Sequence, residues 1–324
     1  MFAALFSRSV VRGSEARMPD LFDLDYLFVT GKGGVGKTTV SAALALAAAR
    51  RGKRVLVAMC NSKERLSHLL EVDAIGPHNQ RVDERIDAVN MTPATALEEY
   101  GMMVLKVRSL YKAIFENRFV SAVLRGTPGI EAWSMLGKTY FNANERLESG
   151  RKRYDLVIVD GPATGHALDM LRVPQVICDV APPGLLRNEA EGALALLRDK
   201  KRAAAVLVTL AEEMPANETI DLHAAMTGEI RMSVARLVVN SVLAKLWKPE
   251  ERGPIAALPA ALDAASPARA LALAGRQRAL REGVQQEAIA KLRSALPDVP
   301  RTVLPMLHVP EFRRAAIESL SEAL

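Results

Sequence analysis

The 324-residue sequence contains little cysteine, few aromatic residues and no long uncharged apolar run. Its two cysteines, Cys60 and Cys178, form no Cys-x-x-Cys pair, which argues against a disulfide scaffold and predicts a reducing, cytoplasmic setting. No stretch of about 18 uncharged apolar residues occurs, so no membrane span is predicted. Aromatic residues make up 5%, too few to interleave with the basic residues as nucleic-acid binding favours. We therefore expect no nucleic-acid partner.

The formal net charge of +6 permits contact with anionic surfaces, but the basic residues are scattered among acidic ones. This pattern predicts a solvated surface and leaves peripheral membrane contact open. Residues 1–20 are interpreted as an N-terminal extension because charges interrupt their apolar start. Three alternatives stay open for residues 1–17: an arginine-rich presequence, a flexible helix, or residues ahead of a true start at Met18.

A glycine-rich motif follows a short apolar run at residues 26–29. Residues 31–39 read Gly-Lys-Gly-Gly-Val-Gly-Lys-Thr-Thr, which fits the P-loop pattern G-x-x-x-x-G-K-[ST] without a mismatch. The Ala- and Leu-rich residues 39–51 predict a helix directly after it. A strand, a glycine turn and a helix N-terminus suit phosphate, with Lys37 on the β and γ phosphates and Thr38 on Mg²⁺. The alternative is a chance glycine turn.

Further apolar runs predict an α/β fold. Residues 54–59, 154–160, 203–210, 234–240 and 302–305 have the composition of strands, and helical patterns, such as that of residues 217–230, alternate with them. We predict a doubly wound, mostly parallel sheet of the P-loop NTPase type, spanning residues 21–324. The strand at 154–160 ends in Asp160, as in a Walker B motif, which predicts that Asp160 lies near Mg²⁺. The Gly- and Pro-rich residues 161–166 are predicted to form a loop.

An α-helical insertion is predicted at about 85–150, since residues 92–118 and 130–147 have helical patterns. Its first helix carries an apolar stripe. Two interpretations stay open for this stripe: a flexible groove for the apolar helix of a protein client, or the inner face of a packed helix. The stripe consists of Met91, Met102, Met103, Leu105, Leu110, Ile114 and Phe115.

Four motifs, at residues 31–39, 154–171, 208–219 and 237–241, occur in an order and spacing that resemble the ArsA family. That family includes the arsenite-pump ATPase and the ATPase that guides tail-anchored proteins to membranes, and this chain resembles a single-unit bacterial member. The resemblance implies ATP and Mg²⁺ as ligands, ATP hydrolysis, and Asn240 as the residue that contacts adenine. It also implies a switch II at residues 160–166. For these last two features, a strand-end cap and an ordinary loop are the alternatives.

The resemblance also assigns roles to the residues of the P-loop. Lys32, the second lysine of a deviant P-loop, is expected to cross a dimer interface and contact the nucleotide of the partner subunit; by chemistry alone it is an extra cation near phosphate. Lys32, Lys37, Asn61 and Asp160 form the predicted catalytic set, and Thr38 and Asp160 the predicted metal site. The residues expected to bind the nucleotide are Gly33, Gly34, Val35, Gly36, Lys37, Thr38, Thr39 and Asn240.

Three features depart from the family pattern. Asn61 stands where relatives carry the aspartate that orients the attacking water, which predicts intact ATP binding with slow or partner-dependent hydrolysis. Residues 253–276 contain no Cys or His, so the zinc clasp of the targeting members is not expected. With only Cys60 and Cys178, neither arsenite binding nor an iron–sulfur cluster is favoured.

These observations lead to one main hypothesis and two alternatives. The main hypothesis is a Mg²⁺-dependent, dimeric ATPase whose nucleotide state acts on a protein partner or client. The first alternative, suggested by Asn61, is a slow or non-hydrolysing regulatory subunit in a heterodimer with an active paralogue. The second is a carrier of hydrophobic membrane-protein segments.

Overall fold

A computed structural model of the chain describes residues 20–60, 63–105 and 129–324. Its strands are β1 (Tyr26–Gly31), β2 (Val55–Cys60), β3 (Gln80–Asp83), β4 (Ile86–Met91), β5 (Leu156–Ala163), β6 (Ala203–Leu210), β7 (Val234–Val242) and β8 (Arg301–Pro305). Its helices are α1 (Lys37–Arg50), α2 (Leu66–Leu70), α3 (Pro93–Leu105), α4 (Ile130–Asn144), α5 (Thr164–Val180), α6 (Leu185–Arg198), α7 (Glu213–Ala225), α8 (Pro249–Ala261), α9 (Ala268–Ala295) and α10 (Arg314–Ser321).

The described strands form one eight-stranded sheet in the order β3-β4-β2-β5-β1-β6-β7-β8. All neighbouring pairs are parallel except β3 and β4, which form an antiparallel pair at one edge. The chain runs from β1 to one side of the sheet and later returns to β6 on its other side. Such a change of direction places the carboxyl end of β1 at a crevice where ligands of α/β proteins bind. The predicted fold class is confirmed.

Apolar side chains alternate between the two faces of the central strands, and both faces are covered. Tyr26 and Phe28 pack into the core on the side of α4, α5 and α7. Leu27 and Val29 pack on the opposite side, with α1 and α10. The side chains of α1 are mostly Ala and Leu, and nine of its fourteen residues, 40–48, are buried. This small cross-section lets α1 lie close beneath the sheet, directly after the P-loop.

Helices α3 and α4 lie within the predicted insertion, and polar contacts join them to the rest of the domain. Lys138 on α4 is completely buried, is ion-paired with Glu99 on α3, and donates to Pro77 O at 3.1 Å. The hydroxyl groups of Tyr26 on β1 and Thr139 on α4 are hydrogen-bonded at 2.8 Å. Because a buried charge is costly without partners, the Lys138 contacts constrain how α3, α4 and the loop before β3 are arranged.

The structure differs from the sequence predictions in three places. Strand β4 lies inside the range 85–150 that was predicted as helical insertion, so the helical part of that range begins at Pro93. Helix α7 begins at Glu213, before the predicted start at 217, because Pro215 is tolerated in a first helical turn. The N-terminal extension up to residue 19 and the apolar stripe from residue 106 onward lie outside the described residues.

The third difference concerns residues 161–166, where the predicted loop is wrong. Strand β5 continues through Ala163, and α5 begins at Thr164. A register shift between β1 and β5 accommodates the Gly-Pro pair. Pro162 lacks an N–H group but accepts a hydrogen bond through its carbonyl oxygen from Thr30 Oγ1 at 3.1 Å. A Cβ on Gly161 would lie 2.8 Å from Val29 O, so this glycine permits close packing of the two strands.

Candidate nucleotide-binding site

The loop between β1 and α1 is a tight turn with no room for side chains at two positions. A Cβ on Gly31 would lie 2.0 Å from Val208 O. Gly36 has a φ of 93°, in the left-handed region, and a Cβ there would lie 2.2 Å from Asn240 Nδ2. Because α1 begins at Lys37, its N-terminus adjoins this loop. A glycine turn that leads into a helix N-terminus attracts anions through its backbone N–H groups.

The ammonium group of Lys37 folds back onto the loop. Nζ donates to the carbonyl oxygens of Lys32 at 3.1 Å and Gly31 at 3.3 Å. Burial lowers the pKa of Lys37, and the nearby Asp160 carboxylate partly opposes this shift. Both hydrogen-bond acceptors are uncharged, so the positive charge of Lys37 is poised for an anionic ligand in the loop.

Asp160 on β5 is held by two hydroxyl groups from α1. Thr38 Oγ1 donates to Asp160 Oδ2 at 2.7 Å, and Ser41 Oγ donates to Oδ1 at 3.3 Å. Burial raises the pKa of Asp160, while the Thr38, Ser41 and Lys37 contacts lower it. These hard oxygen atoms beside a phosphate-type loop are the donor set that Mg²⁺ prefers. Ser41 was not among the predicted site residues, although its position one turn after Thr38 places both hydroxyls on one helix face.

A cavity of about 870 Å³ opens beside this cluster. It brings together six of the sequence-predicted residues with basic side chains from the segment after β2, among them Lys63, Arg65 and His68. These three were not among the predicted site residues; their place directly after a strand that ends at the same sheet edge is the signal that points to them. The predicted residues that line the cavity are Gly34, Gly36, Lys37, Thr38, Thr39 and Asp160.

Glu64 also lines this cavity, but its carboxylate is engaged in capping a helix. Oε1 accepts from Ser67 N at 2.8 Å, and Oε2 accepts from Ser67 Oγ at 2.5 Å. A carboxylate that is hydrogen-bonded on both oxygens is a poor substitute for a free general base. Asn61, the predicted catalytic residue of this segment, lies outside the described residues.

A second cavity of about 380 Å³ lies on the other side of the P-loop. Asn240, near the end of β7, is buried there, and its Nδ2 donates to Val35 O at 2.9 Å. Helix α9 contributes Arg281 and Gln285 to the same cavity. Asn240 and Val35 were among the predicted nucleotide contacts. Arg281 and Gln285 were not, because no local motif connects α9 with the P-loop.

Lys32 is directed to α7 rather than into either cavity. Its ammonium group is ion-paired with Glu218 and lies 3.3 Å from Met214 Sδ. Gly33, the next residue, is exposed and has open space where a Cβ would lie. Gly33 and Lys32 therefore line neither cavity, unlike the other predicted nucleotide contacts. Lys32 instead has a partner within its own chain.

The two cysteines lie on different elements. Cys60 ends β2, lines the larger cavity, and has its pKa raised by burial, which keeps it a thiol. Cys178 is buried on α5.

Among residues 20–60, 63–105 and 129–324, no group of three or more His, Cys, Asp and Glu side chains is placed to hold a metal ion. None of the helices in those same ranges is long and apolar enough to cross a membrane.

Comparison with known proteins supports the family resemblance. Residues 24–181 match the model of a family described as anion-transporting ATPase, ArsA_ATPase. The matched segment runs from just before β1 to the end of α5. It therefore contains the P-loop, the cationic segment after β2, Asp160 and the helices α3 and α4.

Among similar proteins, the ATPase BagA of Mycobacterium tuberculosis is 26% identical over 228 residues, which cover 69% of this chain and 66% of that protein. The arsenical pump-driving ATPase of Escherichia coli is 27% identical over 264 residues, 73% of this chain and 44% of that protein. The ATPase ASNA1 homolog 1 of Paramecium tetraurelia is 28% identical over 156 residues, 48% and 45% of the two chains. The matches thus span less than two thirds of these relatives. Together with the P-loop geometry, they show that the chain is similar to ATPases of the ArsA family.

Proposed function

We propose that this chain binds ATP with Mg²⁺ across the two cavities and hydrolyses it as part of a dimer. The observation that carries the proposal is the convergence of the P-loop, Lys37 and the Thr38–Asp160 pair at the carboxyl end of β1. Phosphoryl transfer depends mainly on positioning and on neutralising the charge of the phosphates. These residues supply both.

The triphosphate lies along the loop and the N-terminus of α1, with the Lys37 ammonium group released from its carbonyl acceptors to the phosphate oxygens. Mg²⁺, when bound, neutralises phosphate charge. Thr38 is its direct protein ligand in this proposal, and Asp160 acts beside it as a carboxylate acceptor. Ser41 holds the second oxygen of Asp160 and so keeps the carboxylate oriented toward Thr38.

The base occupies the smaller cavity, where Asn240 offers an amide for recognition of adenine. The apolar walls of this cavity suit a flat ring. They include Leu210, Leu243, Met306 and Leu307. Lys32 acts across the interface of a homodimer or a heterodimer, after it leaves Glu218. The client or partner on which the nucleotide cycle acts is a further prediction from the family.

Hydrolysis by the isolated chain is expected to be slow, because the family's carboxylate is replaced by Asn61 and the neighbouring Glu64 is engaged with Ser67. An amide can orient a water molecule but cannot accept its proton as a base. This observation also favours the second candidate function, a regulatory subunit that binds ATP and pairs with an active paralogue. The Asn61→Asp substitution separates the two, since a general base contributes roughly 10²- to 10⁴-fold in rate.

Calorimetric titration with ATP and Mg²⁺ tests the binding site itself. The Lys37→Ala variant should lose affinity by at least about a hundredfold, because it removes the charged donor of the loop. The control is Lys53→Ala, which removes a partly exposed lysine whose partner Asp23 lies away from both cavities. Equal affinity of the Lys37→Ala variant and the unmodified protein would refute the proposal.

Phosphate-release assays test whether the chain hydrolyses ATP. Phosphate release should be low for the unmodified chain and should rise in the Asn61→Asp variant or after addition of a paralogue. Brisk turnover by the unmodified homodimer would remove the regulatory-subunit alternative, whereas no turnover in any of the three samples would refute the ATPase proposal.

Arsenite transport is not carried over from the pump-driving relatives, because Cys60 and Cys178 lie on separate elements.

A further inference from the structure

A row of charged residues lies at the amino end of the sheet, opposite the P-loop. In the register of the parallel strands, Val55 pairs with Ile86 on one side and with Leu156 on the other. The residues just before these three positions are Arg54, Arg85 and Asp155. Neighbouring strands are separated by about 4.8 Å, so the register alone places two arginines and an aspartate side by side.

Two more arginines join this row from separate parts of the chain, Arg81 from β3 and Arg153 from the segment before β5. Together the four guanidinium groups line a cavity of about 670 Å³, which is within the range of small-molecule sites. The remaining lining residues are Glu84, Asp87, Leu147 and Tyr154. We call this cavity the arginine pocket.

Three of the four arginines are already oriented by carboxylates. Arg54 forms a fork on Asp155, with Nε to Oδ2 at 3.0 Å and Nη2 to Oδ1 at 2.8 Å. Arg81 Nε donates to Asp87 Oδ1 at 2.5 Å. Arg153 Nη1 donates to Glu145 Oε1 at 3.1 Å. These pairs fix the side chains and leave other N–H groups of each guanidinium for a ligand.

Arg85 differs from the other three. It is exposed, and its contact in the part of the chain that the structure describes is one hydrogen bond, from Nη1 to Gly52 O at 3.1 Å. No carboxylate of the described residues neutralises it. Asp87, one of the two acidic residues in the lining, already accepts hydrogen bonds from Arg81 and from Tyr154 OH at 2.9 Å. Arg85 is thus the lining arginine whose charge has no paired carboxylate among the described residues, and its other N–H groups are available to an anion.

We propose that the arginine pocket binds a small phosphate anion with more than one phosphoryl group, such as inorganic diphosphate. Guanidinium forks match the oxygen spacing of phosphates, and an anion with several oxygens can contact several arginines at once. Glu84 and Asp87 also line the pocket and repel an anion, so binding requires contacts with several arginines at once. The pocket is separate from the P-loop, because strands of six residues such as β2 and β4 span about 20 Å.

The experiment uses the full chain with its P-loop saturated by ADP and Mg²⁺, so that a further anion site is measured separately. Calorimetric titration with inorganic diphosphate should give one additional equivalent per chain. The same additional equivalent should be found without nucleotide in the Lys37→Ala variant. No binding beyond the P-loop in either sample would overturn the proposal.

Variants locate the site. Arg85→Gln and Arg81→Gln should each weaken diphosphate binding by about tenfold or more, since each removes a charged donor. ADP affinity and the melting temperature should not change in Arg85→Gln, because Arg85 is exposed and far from the P-loop. The control is Arg187→Gln on α6, a partly exposed arginine paired with Glu191. Equal weakening in the control would show general charge screening and would contradict the proposal.

Citrate tests the chemical class. It carries several negative charges but no phosphoryl group, and it should bind at least about tenfold more weakly than diphosphate. Citrate binding as tight as diphosphate, with the same loss in Arg85→Gln, would overturn the assignment to phosphate.

Discussion

The ammonium group of Lys32 is ion-paired with the carboxylate of Glu218, which lies 186 residues later in the same chain on α7. Both side chains are partly exposed, at 31% and 38%. In the proposed dimer, Lys32 instead contacts the nucleotide of the partner subunit. The two arrangements exclude each other, so Glu218 competes with the phosphates for this lysine.

We therefore expect Glu218→Gln to strengthen ATP-dependent dimerisation. A partly exposed ion pair contributes at most about 1 kcal/mol, so the dimerisation constant should rise by about two- to fivefold. Sedimentation velocity with ATP and Mg²⁺ measures the change. Asp221→Asn, an exposed substitution on the same helix, is the matched control. A weaker dimer in Glu218→Gln would mean that Glu218 supports the interface rather than opposing it.

Substitution of Asp160 should improve stability and impair metal use. The pKa of Asp160 is raised above 3.8 in the folded protein, mainly by burial. The folded state therefore binds a proton on Asp160 more tightly than the unfolded state does. The contribution of this proton to the free energy of unfolding is present at low pH and is lost as the pH rises through the raised pKa. Asp160→Asn removes this penalty at neutral pH while keeping an acceptor for Thr38.

We expect Asp160→Asn to increase the free energy of unfolding of the nucleotide-free protein at pH 7 by on the order of 1 kcal/mol. Urea unfolding at pH 7 and at pH 5 should show that the gain shrinks at the lower pH. The same variant should lose the Mg²⁺ dependence of ATP binding. Lower stability at pH 7 would indicate that the carboxylate charge is better compensated than its burial suggests.

Alanine substitutions at two glycines of the P-loop should differ in their effect on the free energy of unfolding. Gly31→Ala would place a Cβ 2.0 Å from Val208 O, so we expect a loss of about 3 kcal/mol or more in the free energy of unfolding. Gly33→Ala meets nothing within 4 Å and should change stability by less than about 0.5 kcal/mol. Urea unfolding compares the two variants directly. Similar destabilisation by both would contradict the packing of β1 against β6.

The buried ion pair of the helical insertion provides a further test. Lys138→Met leaves Glu99 without its buried partner and should reduce the free energy of unfolding by about 3 kcal/mol or more. Adding Glu99→Gln should recover much of this loss, because the uncompensated charge is gone. A double-mutant cycle by urea unfolding gives the coupling energy. Additive losses would mean that the two side chains do not depend on each other.

Local patterns predicted the P-loop, Asp160, Asn240 and the parallel sheet, because each depends on residues that are adjacent in sequence or on apolar runs that are buried on both faces. The hairpin of β3 and β4 was missed because an edge pair has polar residues, such as Asp83 and Asp87, among its apolar ones. The ending of β5 was wrong because Gly161 and Pro162 indicate a loop unless the partner strand is known.

The site was predicted less completely than the fold. The contacts of Ser41, Glu218 and Gln285 depend on which helix faces the P-loop, and a single sequence does not fix the packing of distant helices. The same limit applies to the arginine pocket. Its four arginines come from three chain segments, and the pairing of β3, β4, β2 and β5 brings them to the amino end of the sheet.

The hydrogen bond from Asn240 Nδ2 to Val35 O has a thermodynamic consequence. A base that accepts a hydrogen bond from this N–H replaces the internal hydrogen bond to Val35 O. The net enthalpy of that contact is therefore the difference between two similar hydrogen bonds. This N–H therefore adds little to discrimination among purines, which depends on the second Nδ2 hydrogen and on Oδ1. Affinity should follow the number of phosphates on the ligand far more closely than the identity of its ring.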